Sequence, residues 1–275
     1  MIITHRGKHN NGLKENTIPS FEAALKAGAE AVECDLRLTL DKQIVVCHDN
    51  KLSINGKRFK VSKTTLQDLK NVSKDVIPSI IEESLSTVPG AKDPSTRHFA
   101  SSVGMTEIDE LFDYIRQKRV PFFLEVKNRS SILVESIAQK IKDKKLWDRV
   151  HIIGFSIFIK NALRAQAKHE KLRVLPIINY PLYSYIKTPS KSYGVFIGWL
   201  DKWYGSEWIF KRSVSKNRLI KLKKFYEKNG FKVMAGVINK ETGFKYFEQA
   251  GIVDIVTDNI KDAVRYFNKN SKFES

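Results

Sequence analysis

Cysteine is scarce in this chain of 275 residues, which carries only Cys34 and Cys47. Two are too few for a disulfide framework, and no zinc-finger spacing is present. Each lies inside an apolar, strand-like run, so buried free thiols are expected, with a single disulfide as the alternative. No apolar run approaches the roughly 20 residues needed to cross a bilayer. The first residues show no basic stretch leading into an apolar segment, so no secretion signal is expected and a cytoplasmic location fits. The acceptor-like tripeptides at Asn71 and Asn128 carry little weight in that setting. No internal repeat or low-complexity tract is present. No glycine-rich nucleotide loop precedes the "HRG" near the start, which excludes a kinase reading of that tripeptide.

Acidic residues are also under-represented. Against 48 lysines and arginines stand 30 aspartates and glutamates, a formal charge of +18. Such an excess favours anionic partners: phosphorylated small molecules, anionic lipid or nucleic acid. The basic residues are spread along polar faces of amphipathic segments rather than gathered in one tract, so no specific nucleic-acid partner is expected. Hydrophobic residues make up 42% of the chain, which is ordinary for a globular protein.

The apolar patterning alternates between strands and helices. Strand candidates begin at residues 1–5 and continue through "AVECDL", "IVVCH", "PFFLEVK", "VHIIGFS", "RVLPII", "GVFIGWL", "KVMAGVI" and "VDIVT". Helical patterns cover 19–27, 130–146, 158–169, 213–229 and 241–249. The first of these has Thr17 at its cap, Pro19 in its first turn and Gly28 after its end. Such alternation predicts a parallel sheet covered by helices, and at this length a single α/β domain over 1–275, a TIM (β/α)8 barrel. Two features depart from an ideal barrel. Nine strand candidates compete for eight places, notably "RVLPII" and "GVFIGWL". Only eight residues separate Asp35 from Ile44, too few for a crossover helix. A barrel distorted after its second strand is therefore expected, with an extended return in place of a helix. A small insertion over about 50–104 follows the third strand. Within it, an Asn-Gly pair marks a hairpin, "TTLQDLKNV" a short helix, and "STVPGAKDPSTRHFASS" an exposed loop.

Active sites of such barrels form where strands end. His5 and Arg6 close the first strand. Glu33 and Asp35 are two apart and so share a strand face, while Cys34 points away. His48 and Asp49 close the third candidate, and Glu125 and Lys127 form another same-face pair. Carboxylates converging without partners would repel. Glu33, Asp35 and Glu125 are therefore candidate ligands of a hard divalent cation, Mg²⁺ or Ca²⁺. Salt bridges to Arg6, Arg37 or Lys127 are the alternative. His5 and His48 are candidates for proton transfer near neutral pH. Arg6 and Lys127 are candidates to neutralise a phosphate. Together these groups suit cleavage of a phosphodiester.

The stretch "HRG…ENT…F..A…GAEAVECDLRLTLDKQIVVCHD" resembles the glycerophosphodiester phosphodiesterase family. The likeness resumes at "FFLEVK", "VHIIGFS", "VIN" and "GIVDIVTDN", and so spans nearly the whole chain outside 50–104. The resemblance implies a TIM barrel that hydrolyses a small-molecule phosphodiester to a phosphomonoester, glycerol 3-phosphate, and an alcohol. It implies the same metal ligands, histidine pair and phosphate contacts as above. It also implies that Glu15, Asn16 and Asn239 support the site, although Asn16 and Thr17 would equally cap a helix. Members usually carry a tryptophan in the strand before Asn239. Here Ala235 and Gly236 stand in that stretch, and Trp199 or Trp203 is a candidate to fill the space. Two other functions share these features. One is a lysophospholipase D or sphingomyelinase D-like enzyme, with a peripheral membrane contact through the basic surface and the "GWLDKWYGSEW" loop. The other is an anion-binding barrel without catalysis.

Overall fold

A computed structural model describes residues 1–9, 12–54, 57–74, 106–178 and 192–271. The core is a closed barrel of eight parallel strands. These are β1 (Ile2–His5), β2 (Ala31–Leu38), β7 (Phe122–Val126), β8 (Val150–Phe155), β9 (Arg173–Ile177), β10 (Gly194–Ile197), β11 (Lys232–Ala235) and β12 (Ile255–Thr257). Neighbours follow chain order, and β1 pairs with both β2 and β12 to close the ring. Strand parity sorts the side chains. Ile3, Phe123, Ile153, Leu175, Phe196, Met234 and Val256 fill the interior. Val32, Cys34, Leu36, Leu124, Ile152 and Val174 point outward into one helix-facing cluster, and Val195, Val233 and Ile255 into another.

The covering helices are α1 (Ile18–Lys26), α3 (Ile108–Gln117), α4 (Ser131–Asp143), α5 (Ser156–Ala165), α6 (Ser206–Ser213), α7 (Lys216–Lys228), α8 (Glu241–Glu248) and α9 (Ile260–Ser271). Helix α1 starts as its sequence predicts. Thr17 caps it, Ser20 reciprocates from the third position and Pro19 sits in the first turn. The helix expected over 213–229 is α7, and α6 is an additional helix ahead of it, the two joined at Val214 and Ser215.

The excursion between β2 and β7 corrects the expected third strand. Ile44–Val46 (β3) is not a barrel strand. It runs antiparallel to β2, with Leu38 opposite Ile44 and Leu36 opposite Val46. Strand β2 outgrows the barrel and folds back through a turn closed by the Thr39 N–H donating to the Gln43 carbonyl at 2.9 Å. The connection between the two strands, residues 39–43, is five residues long, a natural length for such a reversal. Removing β3 from the count leaves both "RVLPII" and "GVFIGWL" in the ring, as β9 and β10. The helix expected to be missing is present but delayed: α3 follows the excursion and leads into β7. The insertion therefore lies between the second barrel strand and its helix.

Within the excursion, β4 (Lys51–Ile54) and β5 (Lys57–Lys60) pair antiparallel as the expected hairpin, although Asn55 and Gly56 lie outside the described residues. Helix α2 (Leu66–Lys74) occupies the expected short helix. Thr65 Oγ1 accepts from the Asp68 N–H and donates to the Asp68 carboxylate, a capping pair. Strand β6 (Thr106–Glu107) returns the chain to β3. The expected loop over 86–102 lies outside the described residues. Cys34 and Cys47 are both buried and unbridged, as expected for structural thiols.

Candidate active site

The turn after β1 explains the "HRG" stretch. Arg6 and Gly7 both take left-handed backbone, with φ of 60° and 81°. A Cβ on Gly7 would stand 2.3 Å from Ser20 Oγ, so only glycine lets the turn pass under α1. The turn leaves His5 and Arg6 at the C-terminal rim. There the Arg6 N–H donates to the Glu33 carbonyl at 2.9 Å and lies 3.2 Å from Glu33 Oε2.

Strand register assembles the acidic cluster. His5 is opposite Glu33 across β1 and β2, and Asp35 is opposite Glu125 across β2 and β7. Carboxylate oxygens of Glu33, Asp35 and Glu125 come within 4.8 Å of one another, and all three residues are buried. Lys127 Nζ sits 2.9 Å from Asp35 Oδ1 and 2.6 Å from Glu125 Oε1, and Arg6 Nε sits 2.9 Å from Asp35 Oδ2. The salt-bridge alternative is thus realised for Arg6 and Lys127. It does not balance the cluster: two cations face three carboxylates, and buried Glu33 Oε1 has no hydrogen-bond donor. Arg37 plays no part in that balance; its Nε donates to the His48 carbonyl at 2.6 Å.

The electrostatics follow from this arrangement. Burial, reinforced by Asp35 and Glu125, pushes the Glu33 carboxyl well above its ordinary range. Burial also raises Glu125 to about 7, against the pull of Lys127. For Asp35 burial is outweighed by Lys127, Arg6 and His48, with a hydrogen bond from Asn16, which hold it down to about 2. An all-oxygen cage with surplus negative charge and one unpartnered oxygen fits a hard divalent cation.

Asn16 does not cap α1. Its backbone is left-handed, with φ of 60°, and its side chain braces Asp35 instead. Nδ2 donates to Asp35 Oδ2 and Oδ1 accepts from the Asp35 N–H, each at 3.0 Å. Glu15 accepts from Arg6 Nη1 at 3.3 Å and so steadies the guanidinium.

The two histidines occupy different settings on this rim. His5 is buried, and its Nδ1 lies 2.8 Å from Asp258 Oδ1. Burial lowers its pKa, and the Asp258 hydrogen bond opposes this only in part. Burial would raise Asp258, but the His5 and Asn239 hydrogen bonds hold it below the usual carboxylate range. His48 is half-buried at the end of β3, with Nδ1 2.8 Å from Asp49 Oδ1. The charges of both Asp35 and Asp258 act on His5, and the charge of His48 acts on Asp35.

Sequence reasoning named neither Asp258 nor Asp201. Asn239 Nδ2 donates to Asp258 Oδ2 at 2.9 Å, and Asn239 Oδ1 accepts from the Thr257 hydroxyl and the Asp258 N–H. Asp201 accepts from the Asn239 N–H and, at 2.7 Å, from Trp199 Nε1. Trp199 is packed against Phe210 and Phe247 in the outer helical layer. It reaches the rim only through Asp201. Trp203 projects outward, 67% exposed. Neither ring takes the interior position expected of a tryptophan ahead of Asn239.

Three comparisons bear on this arrangement. A curated glycerophosphodiester phosphodiesterase from Caldanaerobacter subterraneus is 23% identical over 98% of each chain. Another, from Bacillus altitudinis, is 28% identical over 201 residues, covering 70% of this chain and 74% of the relative. The fold matches that of an Oleispira antarctica phosphodiesterase solved with sn-glycerol 3-phosphate, at a TM-score of 0.66 and 18% identity over 98% of this chain and 96% of that one. The profile of the glycerophosphoryl diester phosphodiesterase family matches residues 5–262, from the first rim histidine to the last helix, and the chain belongs to that family.

Proposed function

We propose that the chain is a metal-dependent hydrolase that cleaves glycerophosphodiesters to glycerol 3-phosphate and an alcohol. The observation that carries this reading is the buried triad of Glu33, Asp35 and Glu125, one of whose oxygens has no donor, beside a histidine held neutral by its surroundings. The three carboxylates would hold Mg²⁺ or Ca²⁺. A cation bound there would polarise the phosphoryl group and offset its charge. Arg6 and Lys127 position the ligands and present their remaining N–H groups to phosphate oxygens.

The histidine roles follow from their settings. The Nδ1 proton of His5 is committed to Asp258, which leaves the Nε2 lone pair free. Burial keeps the ring neutral, so His5 takes the proton from the attacking oxygen. His48 is more exposed, just past the end of β3, and delivers a proton to the leaving alkoxide. The attacking oxygen belongs to water or to the substrate's own neighbouring hydroxyl; transient cyclic phosphate in a rapid-quench experiment marks the second route. A panel of glycerophosphodiesters, assayed for glycerol 3-phosphate release with and without chelator, tests the proposal. Release should require the cation and return when it is restored. Turnover that persists in chelator would remove the metal from the reading.

A further inference from the structure

Most of the large apolar side chains exposed among the described residues sit on one end of the barrel, the end that carries the carboxylate cluster. Trp203 and Tyr204 follow β10 and are 67% and 107% exposed. Trp208 and Ile209 stand on α6, which continues the same segment, at 66% and 43%. Ile132 and Ile157 lie just past the ends of β7 and β8 and are about half exposed. Leu40, at the tip of the β2–β3 turn, is a further member.

The segment after β10 is built to hold its rings outward. The Trp203 N–H donates to the Leu200 carbonyl, the Ser206 hydroxyl donates to the same carbonyl, and the Ser206 N–H donates to the Trp203 carbonyl. Gly205, with φ of 78°, then starts α6. Phe210 is buried beneath α6, which leaves Trp208 and Ile209 on its outer side. Cations are interleaved with this ridge. Arg212 lies 5.8 Å from the Trp208 ring centroid. Lys202 Nζ is 3.5 Å from Asp258 Oδ2, which ties the ridge to the mouth of the candidate active site. Starting at the rim, a cleft of about 250 Å³ runs along α5 from Ile157 in its first turn past Lys160 to Arg164 in its last turn, with Arg129 also lining it.

Tryptophan and tyrosine with one wet edge, flanked by cations, suit the headgroup level of an anionic bilayer. The net charge of +18 favours approach to such a surface. Aliphatic Ile132, Ile157 and Ile209 would gain nothing from nucleobases, which favours lipid over a single-stranded nucleic acid. No described helix is long and apolar enough to cross a membrane, so the contact would be peripheral. We propose that the C-terminal rim of the barrel docks on an anionic lipid bilayer, the aromatic ridge entering the headgroup layer and the Arg129–Lys160–Arg164 cleft taking a lipid phosphate. The substrate mouth then opens toward the lipid surface. This placement deepens the proposed function by favouring phosphodiesters presented at a membrane, but the docking itself does not require turnover.

The test uses the full chain with vesicles of phosphatidylglycerol or phosphatidylcholine, read by co-sedimentation and tryptophan emission. The protein should partition onto phosphatidylglycerol vesicles in a salt-sensitive manner, with a blue shift, and only weakly onto phosphatidylcholine. A Trp203→Ala/Trp208→Ala variant should lose the blue shift and about tenfold of the partitioning. A Lys160→Gln/Arg164→Gln variant should lose about tenfold of it as well. Both should keep the parental melting temperature and the parental rate on soluble glycerophosphocholine. Failure of the parent to bind, equal binding to both lipids, partitioning untouched by either variant, or displacement of vesicles by an oligonucleotide that grips the ridge more tightly would each overturn the proposal. A parent that binds vesicles yet hydrolyses no glycerophosphodiester would instead count against the proposed function alone.

Discussion

Replacing Asp258 with asparagine should disable His5 by forcing its proton onto the wrong nitrogen. The hydrogen bonds around residue 258 dictate the outcome. Asn239 Oδ1 already accepts from the Thr257 hydroxyl and the residue 258 N–H, so the Asn239 amide cannot flip and its Nδ2 must donate toward the Oδ2 position. The Lys202 ammonium lies near that same oxygen. Both donors demand a carbonyl there, and an amide has only one. Its NH2 must then occupy the Oδ1 position, 2.8 Å from His5 Nδ1. The Nδ1 atom becomes an acceptor, the proton moves to Nε2, and the lone pair assigned to the attacking oxygen disappears.

The size of the loss follows from that role. A positioned general base contributes roughly 10²–10⁴-fold, so kcat on glycerophosphocholine should fall by about that factor, with KM little changed. Asp258→Ala removes the carboxylate without imposing a tautomer, leaving His5 free to sample the productive one. It should therefore retain about tenfold more activity than Asp258→Asn, even though it leaves Asn239 short of an acceptor. Glycerol 3-phosphate release, with thermal melts to confirm folding, measures both. An asparagine variant within threefold of the parent, or an alanine variant worse than the asparagine one, would refute the tautomer argument.

The remaining expectations concern the cation, the brace and the second histidine. The folded-state pKa of Glu125 is raised from 4.5 to about 7, so between these values the folded chain holds a proton that the unfolded chain has lost. Stability without a cation should then fall as pH rises through that window, by on the order of 3 kcal/mol from Glu125 alone. A cation competes with that proton, so the rise in melting temperature on adding Ca²⁺ or Mg²⁺ should be small at pH 5 and large at pH 8; a rise independent of pH would contradict the ligand assignment. Asn16→Ala removes both braces from buried Asp35 and strains a left-handed residue. It should cost about 3 kcal/mol in urea unfolding, and a loss below about 1 kcal/mol would mean the brace is dispensable. His48→Ala should be slow on choline or ethanolamine esters but recover with a p-nitrophenyl leaving group that needs no protonation, whereas His5→Ala should not. The reverse pattern would exchange the two roles.

Strand parity explains why part of this site is legible in the sequence and part is not. Glu33, Asp35, Glu125 and Lys127 can be read directly, because residues two apart on a strand share a face and strand ends in such barrels share a rim. The excursion misleads for a related reason. Ile44–Val46 has the composition of a barrel strand, and a search for eight strands gives it a place. Its direction is set by the short turn from Thr39 to Gln43, which is a reversal and not a crossover, and α3 goes unrecognised because its expected place lies directly after β2. Asp258 is harder still. It is one acidic residue after a three-residue strand, and its meaning depends on β12 lying against β1, a pairing across almost the whole chain that no local pattern encodes. A signal for it exists once closure is assumed. Thr4 is opposite Thr257, so the next residues, His5 and Asp258, must face each other across the seam. Closing the ring is therefore more than a packing solution: the seam that joins the two ends of the chain is also what supplies the first histidine with its partner.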